Sequence, residues 1–146
     1  MKLKLLLLSL AICINQNSLA DTKIKMASPE EVDNYLFKNS LERIKPHVYR
    51  YWYERRYNQD ISDKHGLLYE KGQYTKILTE INCKEKTDKT ISITTYNQDG
   101  NVVETTTKKA DEITPSYIIP NTYGDEDRKQ ICKIGEAKYK DKKADI

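Results

Sequence analysis

General-base chemistry in this chain could come only from His47 and His65, the two histidines among 146 residues, and neither has a serine or cysteine nucleophile motif beside it. Nucleophilic catalysis needs a base against the nucleophile and an orienting group behind the base, and this spacing supplies neither. The carboxylates Asp125, Glu126 and Asp127 crowd what reads as a helix start, where the helix dipole accounts for them without catalysis. No catalytic residue, metal ligand or cofactor is therefore expected. Recognition is a better use of the residues present. The run Tyr49-Arg50-Tyr51-Trp52-Tyr53-Glu54-Arg55-Arg56-Tyr57 concentrates aromatic and guanidinium groups, which desolvate large areas with few rotors. Arg50, Trp52, Arg55, Arg56, Tyr51 and Tyr53 are the candidate partner-binding residues. The competing reading makes one face of this strand core beneath a helix, with tyrosine hydroxyls reaching the rim.

The start of the chain decides the compartment. Met1-Lys2-Leu3-Lys4 precedes an apolar run from Leu5 to Ile14, then Asn15-Gln16-Asn17 and Ser18-Leu19-Ala20 before Asp21. A basic end, an apolar stretch of about ten residues and small residues before the junction make residues 1–20 a signal peptide, cleaved between Ala20 and Asp21. The run is too short to cross a bilayer core of about 30 Å as a helix. Cys13 would be the acylated residue of a lipoprotein, but Ile12 stands where a small residue is needed. The expectation is export to the periplasm, the outer-membrane surface or the medium.

Cleavage leaves Cys83 and Cys132 as the remaining cysteines. Neither has a CxxC partner or a nearby histidine, which speaks against a zinc site or a catalytic thiol, and an oxidising compartment favours a disulfide. The formal charge of the whole chain is +3, and losing Lys2 and Lys4 leaves 23 basic against 22 acidic residues, or +1. Aromatic and arginine side chains also stack on single-stranded bases, but near-neutrality and export argue against a nucleic-acid partner.

Strand signals dominate the middle of the chain. From His47 to Tyr57 the odd positions carry Tyr49, Tyr51, Tyr53, Arg55 and Tyr57, Tyr74 to Cys83 alternates β-branched residues, and Thr90 to Tyr96 with Asn101 to Thr107 flank Gln98-Asp99-Gly100, a hairpin turn. Thr122 is the candidate cap of a helix with Asp125 at its third position, and Gly135 is expected to stop it. Lys138, Lys140, Lys142 and Lys143 then mark residues 136–146 as a lysine-rich, disordered, solubilising tail. Between residues 29 and 44 local rules predict helix: Ser28-Pro29-Glu30-Glu31 reads as a capping start, and Val32, Leu36, Phe37, Leu41 and Ile44 recur at helical spacing.

Glu80-Ile81-Asn82-Cys83, the hairpin, then Ile118-Ile119-Pro120-Asn121-Thr122 with Cys132 beyond, make the chain resemble the bacterial surface-adhesin protein E family. Tyr35-Leu36-Phe37-Lys38-Asn39-Ser40 is similar to the family's short strand and turn before the aromatic strand. The resemblance covers residues 34–135, the expected domain, with 21–33 an N-terminal segment before it. It implies an α+β fold: an antiparallel β-sheet with a C-terminal helix packed on one face and Cys83 and Cys132 tying strand to helix. It replaces the local helix at 29–44 by short strands, with one turn kept after Ser28. In function it implies a secreted or cell-envelope, non-enzymatic binding protein whose partners are host extracellular-matrix or serum proteins. The alternative is a periplasmic structural or housekeeping protein, or an inhibitor of a basic enzyme such as lysozyme through Asp125 to Asp127. Unpaired edge strands leave a homodimer open.

Overall fold

A computed structural model describes residues 22–140. The expected leader, residues 1–20 with its Ala20–Asp21 junction, and the tail residues 141–146 lie outside the described residues. Ten strands and one long helix follow one another as β1 (Lys23–Lys25), β2 (Val32–Phe37), β3 (Glu42–Lys45), β4 (Val48–Tyr57), β5 (Ile61–Asp63), β6 (Gly66–Tyr69), β7 (Tyr74–Asn82), β8 (Thr87–Tyr96), β9 (Val102–Thr107), β10 (Ser116–Tyr117) and α1 (Tyr123–Tyr139). The main sheet runs β1-β2-β4-β7-β8-β10, with β3 beside β4 and β9 beside β8, and every pairing is antiparallel. β5 and β6 form a separate hairpin.

β4 and β7 are the spine. Nine residue pairs join them in unbroken register from Val48↔Asn82 to Arg56↔Tyr74. The other edge of β4 is shared: β3 pairs its first half and β2 its second. A 3-10 turn at Lys38–Ser40 fills the break, and there the Trp52 N–H donates to Ser40 Oγ at 2.9 Å. β1 lies within the segment 21–33 set outside the domain by sequence, yet it pairs with β2 from Lys23↔Phe37 to Lys25↔Tyr35 and so belongs to the sheet.

Residues 29–44 contain no α-helix. One turn survives after Ser28, closed by the Val32 N–H to the Pro29 carbonyl at 3.2 Å, and strand, 3-10 turn and strand follow. The cause is tertiary: β4 offers an edge of backbone donors and acceptors, and the segment satisfies itself by pairing there.

Helix α1 covers one face of the sheet. Thr122 caps it, its hydroxyl accepting from the Asp125 N–H at 3.4 Å. Ile131, Cys132 and Gly135 are buried against a core of Met26, Leu36, Leu41, Tyr49, Tyr51 and Ile81. Cys83 directly follows β7, and its disulfide to Cys132 spans 5.9 Å between Cα atoms. The expected stop at Gly135 is corrected. The helix continues to Tyr139, because Gly135 serves as a contact point: a Cβ there would stand 2.7 Å from the Tyr49 ring. The last turn is then held by Lys138 Nζ and Tyr139 Oη, which donate to the Leu41 carbonyl at 2.6 and 3.2 Å. Residues 136–139 of the expected disordered tail are thus ordered helix.

Candidate interface on the aromatic strand

β4 presents its side chains alternately to the two faces of the sheet, so the six residues singled out by sequence do not form one surface. Tyr51, Tyr53 and Arg55 point to the helix side. Arg50, Trp52 and Arg56 point to the open side, which carries no helix among the described residues and is bordered at its Val48 and Glu80 end by the chain around Ile113 and Pro115.

On the helix side Tyr51 is 6% exposed and belongs to the core, with Tyr53 packed against it. Both rings lie on the opposite face from Arg50, Trp52 and Arg56, so they belong to no common surface with those three residues. Arg55 donates from Nε to Asn34 Oδ1 at 3.1 Å. These three residues line a cleft left between the sheet, the start of α1 and the chain around Pro29.

The open side is an array of cations and rings around two buried carboxylates. Glu54, 1% exposed, lies in ion pairs with Lys23 at 3.1 Å and with Arg56. Glu80 accepts from Arg50 at 3.0 Å and pairs with Lys89 at 2.8 Å. Burial raises the Glu80 carboxyl, but hydrogen bonds from Lys89 and Arg50 outweigh it and hold the group below the usual range. The rings interleave with the cations. Lys23 and Lys76 sit 5.1 and 5.6 Å from the Phe37 ring, Lys76 also 5.4 Å from Tyr96, and Arg56 4.7 Å from Tyr74. Tyr74 and Tyr96 stack at 4.8 Å between centroids. The aliphatic stems of the cations cover the apolar surface while their heads stay wet, so this face is solvated without a helix packed on it.

Lys45, Lys23, Lys25, Arg50, Arg56, Lys76 and Lys89 stand on this face against Asp33, Glu42, Glu54 and Glu80, an excess of three positive charges. The lysines of β1, β7 and β8 were missed by sequence. Each belongs to a strand whose partner was unknown, and only the register Arg50↔Glu80↔Lys89 brings them beside the arginines.

The acidic cluster at the helix start is not a patch for a basic partner. Asp125 is buried, held by Arg128 at 2.7 Å and Lys129 at 2.8 Å, and these bonds keep its carboxyl well below the usual range. Asp127, half-buried, accepts from the Ala27 N–H at 2.9 Å, and Glu126 is exposed. His47 lies 3.7 Å from Glu136 and His65 in the β5–β6 turn, so the two imidazoles serve no common site.

Comparison with known proteins agrees with this architecture. The family model described as surface-adhesin protein E matches residues 22–133, a span that begins at β1 and ends on the helix just past Cys132. A crystal structure of protein E from non-typeable Haemophilus influenzae aligns with a TM-score of 0.50 at 13% identity, over 82% of this chain and 87% of that one, a likeness of fold. No curated protein matches the chain. With strand, hairpin, capped helix and strand-to-helix disulfide all within the matched span, the chain belongs to the surface-adhesin protein E family.

Proposed function

We propose that the protein is an extracytoplasmic, non-enzymatic adhesin that captures acidic host extracellular-matrix or serum proteins on the open face of its sheet. The family supports a surface adhesin, and the leader read from residues 1–20 supports export. The observation that carries the choice of surface is the uncovered cation-and-ring array built by the even positions of β4. Arg50, Trp52 and Arg56 lie at its centre, and rigid, half-desolvated arginines and aromatics are the groups that carry binding energy in protein interfaces. Buried Glu54 and Glu80 fix the arginines in place before any partner arrives, which lowers the entropy lost on binding.

The two-faced strand supplies its own control. Arg50→Ser with Arg56→Ser is expected to weaken capture of immobilised matrix proteins about tenfold or more, at roughly 1.5 kcal/mol for the pair. Arg55→Ser, on the helix side, leaves capture unchanged. Surface plasmon resonance against a panel of matrix and serum proteins reads both. Equal loss in the two variants would remove the open face as the interface, and no capture by the wild type would remove the adhesin reading.

A further inference from the structure

The cleft on the opposite face takes no part in that reading, and its chemistry is of another kind. It encloses about 700 Å³, within the range of small-ligand sites and far above the few-atom voids of a packed core. Its floor is Tyr51, Tyr53 and Ile81, with Ile131 on the helix wall, and Asp88 of β8 and Asp127 of α1 stand on its sides. Among the described residues neither Asp88 nor Asp127 has an ion-pair partner, although both are half-buried. Asp88 and Asp127 line the same cleft as the Tyr51 and Tyr53 rings, whose hydroxyls burial pushes up.

Carboxylates removed from water without a cation are costly, and so they are found paired or ligated. Burial, acting first, pushes the Asp127 carboxyl up to about 6 against the weaker pull of the Ala27 N–H and Arg55, and burial raises Asp88 as well. Glu31 adds a third, exposed negative group, and Arg55, already donating to Asn34 and 6.0 Å from the Tyr53 ring centroid, is the one cation of the lining. Three carboxylates against one arginine leave the cleft with an excess of negative charge over a floor of aromatic and apolar side chains, a combination that attracts ammonium groups and repels anions.

We propose that this cleft is a receptor site for a small organic ammonium ion with an apolar body. The cation is held by Asp127 and Asp88, and the body lies over Tyr51, Tyr53 and Ile81. Such a ligand returns to the two carboxylates the counter-charge that folding denies them, while its body displaces water from apolar wall.

The test is a pair of probes of equal shape and opposite charge, 2-phenylethylammonium and 3-phenylpropionate. Each is titrated into the full chain with its disulfide formed and followed by amide chemical shifts. The expected result is saturable binding of the ammonium, with shifts confined to residues 51–57, 88–90 and 123–131. Its affinity should exceed that of the carboxylate by about tenfold or more and fall by about tenfold in Asp127→Asn. Asp88→Asn, on a different element, gives the same loss should the Asp127 variant fold poorly. Equal affinity for the two probes, shifts outside the cleft, no binding of the ammonium at millimolar concentration, or unchanged affinity in both variants would each overturn the proposal. None of these outcomes bears on capture by the open face, which uses neither aspartate.

Discussion

At the residue scale, sequence conveyed identity better than contact. Cys83 and Cys132 could be paired from composition and compartment alone, whereas Gly135 could not be understood without its neighbour. The Tyr49 ring lies against the helix at Gly135, and it stacks on Tyr139 at 6.3 Å between centroids. Gly135→Ala should therefore lower stability by about 1–2 kcal/mol, the overpacking cost exceeding the gain of about 1 kcal/mol in helix propensity. Thermal melts are expected to shift down by roughly 5 °C with helix content retained. Two aspartates on the same turn oppose each other. The Asp125 carboxyl is depressed, so its stabilisation is present above its unfolded value of 3.8 and lost as pH falls toward its folded value. The Asp127 carboxyl is raised to about 6, so the folded state binds the extra proton and stability falls as pH climbs from about 4 to 6. Asp127→Asn should thus stabilise by about 1–2 kcal/mol at about pH 7.5, discounted for partial exposure, and be neutral near pH 4. Asp125→Asn should destabilise at the higher pH by an amount that shrinks as the solution is acidified, and denaturant unfolding at the two pH values separates them.

At the scale of elements, residues 29–44 show why local pattern misled. Val32 and Leu36 are four apart, which puts them on one face of a helix and equally on one face of a strand. The residue between them that would have declared a strand is Asn34, polar yet 5% exposed. Asn34 donates to the Ala27 carbonyl and accepts from Arg55, partners that the sequence does not reveal. β4, β7, β8 and β9 were legible because β-branched and aromatic residues alternate along them and Gly100, at φ +86°, closes a turn that Asn97 braces with its side chain. β1, β5, β6 and β10 are too short for a pattern to form. The join between sheet and helix rests heavily on sulfur, since the described helix buries few side chains. Linking residues 49 apart removes about 4 kcal/mol of unfolded-chain entropy in the loop-closure model. Cys83→Ala with Cys132→Ala, or reduction, should lower the thermal midpoint by roughly 10 °C or more, and amide exchange should accelerate first in α1.

At the scale of the whole molecule, a net charge near zero conceals two surfaces of opposite sign. Strand alternation sends the excess cations of β1, β4, β7 and β8 to the open face and leaves Asp88 and Asp127 with the cleft, so the sheet itself separates the charge. Overall charge, the quantity that composition supplies, is therefore a poor guide to what either face attracts. The open face should steer an acidic partner at long range, while the paired carboxylates beneath it limit how much affinity each cation adds. Removing Lys76 and Lys89 by serine substitution should then reduce the association rate with a captured matrix protein several-fold at low salt and leave dissociation nearly unchanged. The difference from wild type should vanish near 1 M salt, where the screening length falls to about 3 Å. Stopped-flow or surface plasmon resonance across a salt series measures both rates. An effect confined to dissociation would mean that these lysines touch the partner directly and that the face acts by contact, with no contribution from its field.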